Sequence, residues 1–243
     1  MNISVLQWNI WYKEKIENIC ELLKQTKADV VCLQELTIGY QTHSDTLAYI
    51  AAELGYHYFG NKPIALKGES WKLFNGIISK FPLAKTNSIW INEPDGSGGY
   101  DDEYRAYVEA TIQIGNQHLT IATTHMSYID RFEASDRKKK ETDRLVNILK
   151  EKATNFIVTG DFNAPPEGYT IQKVKKYLKN AGPEFTEKTW TTKPFSYNGF
   201  EENDLNWRLD YVFATPDVKI NNSRILKTGY SDHLPILVNL SLD

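Results

Sequence analysis

Phe156-Ile157-Val158-Thr159-Gly160-Asp161-Phe162-Asn163 decides the reading of this chain. Three apolar residues lead into a small polar residue and a glycine, then a carboxylate and an amide two apart. That is the pattern of a buried strand running out into a loop. Because side chains alternate along extended chain, Asp161 and Asn163 are expected to project the same way at the strand's mouth. Strand ends and the loops beyond them are where α/β folds place functional groups. Taken alone, the stretch reads first as an Asp/Asn turn closing a strand. What lies on either side of it changes that reading.

Upstream, residues 104–114 and 118–125 alternate polar and apolar around Gly115-Asn116, the signature of a hairpin, and the second strand ends Thr123-Thr124-His125. Residues 130–152 are expected to form a long helix. Its run Arg137-Lys138-Lys139-Lys140 is interleaved with Asp and Glu and reads as a solvated face. Nearer the start, 3–10 reads as a strand ending in Asn9, and 13–25 as an amphipathic helix carried by Ile16, Ile19, Cys20 and Leu23. Residues 29–35 read as a strand, apolar until Gln34-Glu35, which makes the three elements a βαβ-like unit. A helix over 44–54 with Ser44 as N-cap and strands at 56–60 and 75–79 follow. Residues 92–99 form the clearest loop, a flexible insertion that either is disordered or lines a site.

Downstream come a Pro-rich loop at 164–166 and a helix near 171–179. The irregular stretch 182–207 holds Phe185, Trp190, Phe195, Tyr197, Phe200 and Trp207. It is either a loop packed by its own side chains or a wall for substrate, with Trp190 and Trp207 as the contacts. Arg208 to Phe213 reads as a strand with an Arg208–Asp210 ion pair near its start, 218–226 as another, and 234–240 as the closing strand behind the polar loop Gly229-Tyr230-Ser231-Asp232-His233.

The chain's 243 residues suit one domain over 1–243 with a sizeable core. A net charge of −3, from 28 basic and 31 acidic residues, argues against a broad nucleic-acid binder while allowing a local basic cleft. Two cysteines, with Cys32 inside an apolar run, indicate no disulfide framework and fit a reducing compartment. The start of the chain has no signal-peptide pattern and no apolar run is long enough to span a bilayer, so the expectation is a cytoplasmic protein without a membrane partner.

Strand after strand ends in a polar group: Asn9, Glu35, His125, Asp161, Asn163, Asp210, Asp232 and His233. Brought to one edge, these make a dense acidic pocket, and repelling carboxylates call for a divalent cation. Oxygen ligands without a cysteine pair suit Mg²⁺ or Mn²⁺.

Gln7-Trp8-Asn9, Leu33-Gln34-Glu35, Thr124-His125, Gly160-Asp161-Phe162-Asn163, Leu209-Asp210-Tyr211-Val212-Phe213 and Ser231-Asp232-His233 together resemble the motif series of the endonuclease/exonuclease/phosphatase superfamily, the deoxyribonuclease I-like fold. The series keeps its order from Asn9 to His233. The resemblance implies an α/β (α+β) fold, a four-layer sandwich of two central mixed β-sheets packed face to face and flanked by helices. It also implies Mg²⁺-dependent hydrolysis of a phosphate ester. On that basis Glu35 is the principal metal ligand, with Asn9 beside it and Asp232 completing or supporting the site. His233, bonded to Asp210, is the general base for water, a role also proposed for Asp161. Asp161 and Asn163 orient the water and bind a phosphate oxygen, and His125 bonds a non-bridging oxygen. Arg105 stands where some relatives carry a phosphate-contacting arginine, and a structural ion pair explains it equally. Some relatives support the His125 position with an acidic residue; Glu69 and Glu103 are the candidates here.

The resemblance fixes the reaction better than the substrate. An acidic loop over 95–103 at the mouth would repel a long polyanion. The expectation is therefore a monomeric phosphodiesterase or phosphatase with a small or end-type phosphate-ester substrate. A DNA-repair nuclease is the alternative, and a catalytically dead binding module is the reading from a different class.

Overall fold

The computed structural model describes residues 1–65, 68–96 and 102–242. In chain order the elements are β1 (Asn2–Asn9), α1 (Ile16–Thr26), β2 (Val30–Ile38), α2 (Thr46–Leu54), β3 (His57–Gly60), β4 (Ile64–Ala65), β5 (Lys72–Ser79), β6 (Leu83–Asn92), β7 (Arg105–Ile114) and β8 (Gln117–His125). They continue with α3 (Asp136–Leu149), β9 (Phe156–Asp161), α4 (Tyr169–Val174), β10 (Lys179–Asn180), β11 (Phe195–Tyr197), β12 (Phe200–Glu202), β13 (Asp210–Ala214), β14 (Lys219–Ile225) and β15 (Ile236–Ser241).

Two mixed sheets result. One runs β14-β15-β1-β2-β5-β3 with β4 on β5, and the other β10-β13-β9-β8-β7-β6. The inner faces of both pack on each other through Val5, Cys32, Ile77, Val108, Ile121, Ile157, Val212 and Ile236. The outer face of the first sheet is covered by α1 and α2, with Ile16, Ile19, Leu23, Leu47 and Ile50 against Leu6, Trp8, Val31 and Leu33. Leu145, Leu149, Ile171 and Val174 of α3 and α4 cover the second against Phe156, Val158, Tyr211 and Phe213. The order is helix, sheet, sheet, helix, as the resemblance implied. The βαβ start holds too, with β1 and β2 paired in parallel.

Several boundaries move for identifiable reasons. Helix α2 is capped by Asp45, which accepts from the Ala48 N–H, and not by Ser44. The long helix expected over 130–152 begins only at Asp136, because Arg131 and Phe132 sit at φ 53 and 60 and Ser135 caps the helix through Lys138 N–H. The edge strand β6 went unread: its first seven residues are mostly exposed, so no apolar alternation announces it. Of the loop expected over 92–99, residues 97–99 lie outside the described residues. Arg208 does not pair with the Asp210 carboxylate. Its guanidinium donates to the backbone carbonyls of Asp210, Pro183, Glu184 and Glu187.

Gly160 governs how closely β8 and β9 approach. It lies at φ 153, and a Cβ there would sit 2.2 Å from the Thr124 carbonyl oxygen. Gly160→Ala is therefore expected to force the parallel pair apart and destabilise the fold by about 2 kcal/mol or more, the scale of overpacking. Urea unfolding measures this, and an unchanged midpoint would remove the constraint.

Candidate active site

Strand alternation builds the site. On β1 the odd residues Ile3 and Val5 face the other sheet, and Gln7 and Asn9 continue that row toward its open end. On β9 the row is Ile157, Thr159, Asp161, and on β13 it is Asp210, Val212, Ala214. Apolar residues fill the depth of the inter-sheet layer, and polar ones take over toward one edge.

A buried amide seam marks the transition. Gln7 and Gln34 exchange side-chain hydrogen bonds, both 2.9 Å. Gln34 Nε2 also donates to Thr123 Oγ1 at 2.7 Å, and Gln7 Nε2 to Asp210 Oδ1 at 3.0 Å. Sequence reading missed both glutamines as site support. The available signal was an amide at an inward position of an otherwise apolar strand.

Glu35 reaches the site through an irregularity. Strict alternation would place it beside Val31 and Leu33, on the helix-covered face. The β2–β5 register shifts between Leu33 and Leu36, and Glu35 adopts φ 62. It is the extra residue of a bulge, re-aimed while Leu36 returns to the helix side. Its Oε2 accepts from the Tyr12 N–H and its Oε1 from Asn9 Nδ2, both at 3.1 Å. The same Asn9 Nδ2 donates to Asp161 Oδ2 at 3.1 Å, so one amide ties the two sheets together between two carboxylates. Burial, then the Asp232 charge, pushes the Glu35 carboxyl upward.

His233 lies between two acids. Its Nδ1 is 2.8 Å from Asp210 Oδ2 and its Nε2 is 3.5 Å from Asp161 Oδ2. Burial opposes its charged form, but Asp210, Asp161 and Asp232 outweigh that and raise it well above the ordinary histidine value. Asp161 is itself pushed up to about 7, by burial first and then by Asp210. His125 Nε2 also stands 3.5 Å from Asp161 Oδ2. Burial and the Arg105 charge hold His125 well below its usual value, so it is a neutral ring.

The loop before β15 is held as firmly. Ser231 Oγ donates to the Asn9 carbonyl at 2.7 Å and accepts the His233 N–H at 3.1 Å. Trp8 Nε1 donates to the His233 carbonyl at 2.9 Å, joining residues 225 apart in sequence. Asp232 is half-buried, and its Oδ2 accepts from Trp190 Nε1 at 3.1 Å.

Other expectations shift. Asn163 does not continue the strand alternation. At φ 45 it turns, with its N–H on Asp161 Oδ1 and its Nδ2 on the Met126 carbonyl. The aromatic stretch packs on itself: Trp190 is buried with Phe132 and Leu209, and Phe195, Phe200 and Trp207 cover them. The Trp190 indole bonds Asp232, and that of Trp207 bonds Glu202. Arg105 pairs with Glu103 at 2.7 Å. Glu69 accepts from Trp71. Neither acidic candidate partners His125; the carboxylate beside it is Asp161.

The basic run on α3 is not one solvated face. Arg137 pairs with Asp95 and Asp102. Lys138 is 2% exposed, and its Nζ donates to the Ser127 carbonyl at 2.6 Å and the Phe162 carbonyl at 2.8 Å. Those carbonyls belong to the loops that follow His125 and Asp161, so Lys138 locks the two loops to one another. Burial and Arg105 pull it down to about 8, against Glu141 and Asp161.

Beside Glu35 and His125 opens a cleft of about 480 Å³, with Arg105, Phe74, Trp90 and Tyr104 among its walls. Two donor sets could hold a cation. Asp161, Asp210 and His233 bring ligand atoms within 4.8 Å of one another. Glu35 and Asp232 are half-buried carboxylates, and the Asp232 charge raises Glu35. Oxygen donors suffering mutual repulsion fit a hard divalent ion.

Two outcomes are expected. By NMR in the presence of EDTA, His233 titrates above pH 6.5 and Asp161→Asn moves its midpoint down, because a raising charge is removed. A midpoint below 6.5 would contradict the geometry. Lys138→Met costs about 3 kcal/mol in urea unfolding, the scale for removing one member of a buried charged network. A loss under about 1 kcal/mol would show that the loops hold without it.

The model described as Endonuclease/Exonuclease/phosphatase family matches residues 6–233. No curated protein matches. Among solved structures, an endonuclease/exonuclease/phosphatase family protein from Bacteroides thetaiotaomicron superposes with TM-score 0.74 at 18% identity, covering 100% of this chain and 98% of that one. A B. thetaiotaomicron mannosyl-6-phosphatase gives 0.70 at 16% identity over 99% of this chain and 100% of its own. D. rerio TDP2 complexed with single strand DNA product gives 0.74 at 19% identity over 99% of both chains. The chain belongs to the endonuclease/exonuclease/phosphatase family, whose members are divalent-metal-dependent hydrolases of phosphoester bonds.

Proposed function

We propose that this enzyme is a Mg²⁺- or Mn²⁺-dependent phosphodiesterase or phosphatase acting on a small or end-type ester. The observation that carries the reading is His233, held by Asp210 on one nitrogen and facing Asp161 with the other, beside the Glu35–Asp232 pair. The size of the cleft supports a small substrate, and its mixed walls suit an alcohol group next to the phosphate.

Glu35 and Asp232 hold the metal in this reading. They are preferred over the Asp161–Asp210–His233 set because His233 already bridges its two acids. Asn9 serves beside them: its Nδ2 fixes Glu35 and Asp161, and its Oδ1 accepts the Trp11 N–H. A bound divalent cation supplies Lewis-acid polarisation of the phosphoryl group. His233 Nε2 takes the proton of the attacking water, while Asp210 fixes the tautomer and stabilises the imidazolium. The ring carries its proton at rest, and a cation held by Glu35 and Asp232 would weaken its hold on that proton by offsetting the Asp232 charge. Asp161, sharing that proton, and Asn163 orient the water. His125, neutral and at the cleft wall, donates to a non-bridging oxygen. Arg105 lies in the same wall, and with part of its charge taken by Glu103 the remainder meets the ester.

Among the described residues no helix is long and apolar enough to cross a membrane. Cys20 and Cys32 are free and buried, which supports a reducing, cytoplasmic setting. A monomer acting alone is part of the same proposal.

The test is hydrolysis of bis-p-nitrophenyl phosphate and p-nitrophenyl phosphate with Mg²⁺, Mn²⁺ or EDTA. Turnover is expected only with metal, and a fall of about 10³-fold or more in His233→Ala and Glu35→Ala. Turnover that survives EDTA or both substitutions would sink the proposal.

A further inference from the structure

Next to Glu35, on the loops that continue β1 and β2 and at the residue before β5, lies a group of aromatic side chains that the mechanism above does not use. Tyr12 stacks on Trp71 with centroids 5.0 Å apart and planes at 21°. Tyr40 meets both, 5.2 Å from Tyr12 and 4.7 Å from Trp71. Tyr40 is 40% exposed, and Trp11, Tyr12 and Trp71 are half-buried. A packed core would bury such rings, and here they stay at the surface.

Trp11 adds to this. It sits at φ 54, a left-handed conformation that Gly or Asn adopts at lower cost. Strain of this kind gathers at functional sites. Two lysines lie over its indole, Lys13 at 5.9 Å and Lys193 at 5.5 Å, and Lys13 also covers Tyr12 at 5.5 Å. Glu14 approaches Lys193 at 3.9 Å and offsets part of that charge.

The group is joined to the reacting centre by backbone. The Trp11 N–H donates to Asn9 Oδ1 and the Tyr12 N–H to Glu35 Oε2. It is also preorganised, because Gln41 Nε2 bonds the Tyr12 and Glu14 carbonyls at 3.0 and 2.7 Å while its Oε1 accepts the Ile16 N–H. Rings interleaved with cations beside a phosphate site are the pattern that holds single-stranded nucleic acid, the bases stacking and the cations following the backbone. A polyol or an acidic peptide needs no such alternation.

We propose that Trp11, Tyr12, Tyr40 and Trp71, with Lys13 and Lys193, form a stacking platform for the nucleobase of a nucleotide-type ester whose phosphate lies at Glu35. This rests on the phosphoesterase reading of the site and names its substrate class. The platform takes the base on the group that the enzyme retains next to phosphorus, and the lysines meet a neighbouring phosphate.

The experiment compares thymidine 5′-(p-nitrophenyl phosphate) with methyl p-nitrophenyl phosphate, two diesters with one leaving group that differ in the base-bearing arm. In wild type the ratio of kcat/KM for nucleoside over methyl ester is expected to be about tenfold or more, the scale of one base–aromatic stack. Trp11→Ala and Trp71→Ala should each cut that ratio about tenfold through KM. A wild-type ratio near one, or a ratio that both substitutions leave in place, overturns the platform. If neither diester turns over, the phosphodiesterase arm of the reading fails, hydrolysis of p-nitrophenyl phosphate decides the phosphatase arm, and the platform is decided by tryptophan-fluorescence titration. There, thymidine 5′-monophosphate should bind at least tenfold tighter than inorganic phosphate or glucose 6-phosphate. Equal binding of inorganic phosphate, or of the sugar phosphate, overturns the base assignment.

Discussion

Asp210 has no exposed surface, and a carboxylate in that position has to be answered by groups from both sheets. Its own sheet presents it across from Asp161, which adds repulsion instead of relief. Relief comes from the facing sheet, as the Gln7 amide on one oxygen and the His233 ring on the other. Gln7 can serve only because Gln34 occupies its other side, and Gln34 only because Thr123 is within reach. A one-residue slip of β1 would turn Gln7 and Asn9 to the helix side and leave the acid unpaired. The polar seam thus fixes register more strictly than the interchangeable aliphatic contacts deeper in the layer, since an unpaired buried charge costs far more than a poorly fitted methyl.

Every other part of the site extends this arrangement. The bulge in β2 gives Glu35 a direction that regular pleating denies it, and Asn9 then spans from Glu35 to Asp161. Lys138 acts from the opposite side, bringing a cation through the outer layer to the backbone of the two loops that follow His125 and Asp161. Negative charge is concentrated at the centre, while the groups that hold it are amides, hydroxyls and one ammonium placed around it. Such a shell is rigid before substrate arrives, which is what electrostatic catalysis requires.

Much of this was legible in the residues. The apolar runs ending in Asn9, His125 and Asp161 marked both the strands and their mouths, because burial on a sheet and emergence at its edge leave a two-part signature; the strand expected to end at Glu35 runs on through its bulge to Ile38. Helix α1 was legible from Ile16, Ile19, Cys20 and Leu23 alone. What failed was whatever depends on three-dimensional surroundings. Lys138 looks like its neighbours Arg137 and Lys139, and only the position of the loops beyond α3 makes it an interior group. Strand β6 is an edge with little to bury, so its sequence carries no alternation. Trp190 lies in a stretch that reads equally as a self-packed loop or a wall for substrate, and only the fold shows it closing over Phe132 and spending its N–H on Asp232.

The bond from the Trp8 indole to the His233 carbonyl bears on how the protein is made. Its partners stand 225 residues apart, and β1 finds its antiparallel neighbour only in β15. During synthesis β1 therefore waits until β15 has been made before one of its edges is covered. Contacts of such separation slow folding, since a long loop must close before they reward it. Until His233 emerges, Asp161 and Asp210 face each other without the imidazole between them. The centre can therefore exist only once the chain has been made past His233, and a ribosome-stalled fragment that stops before it would carry most of the fold's residues and none of its chemistry.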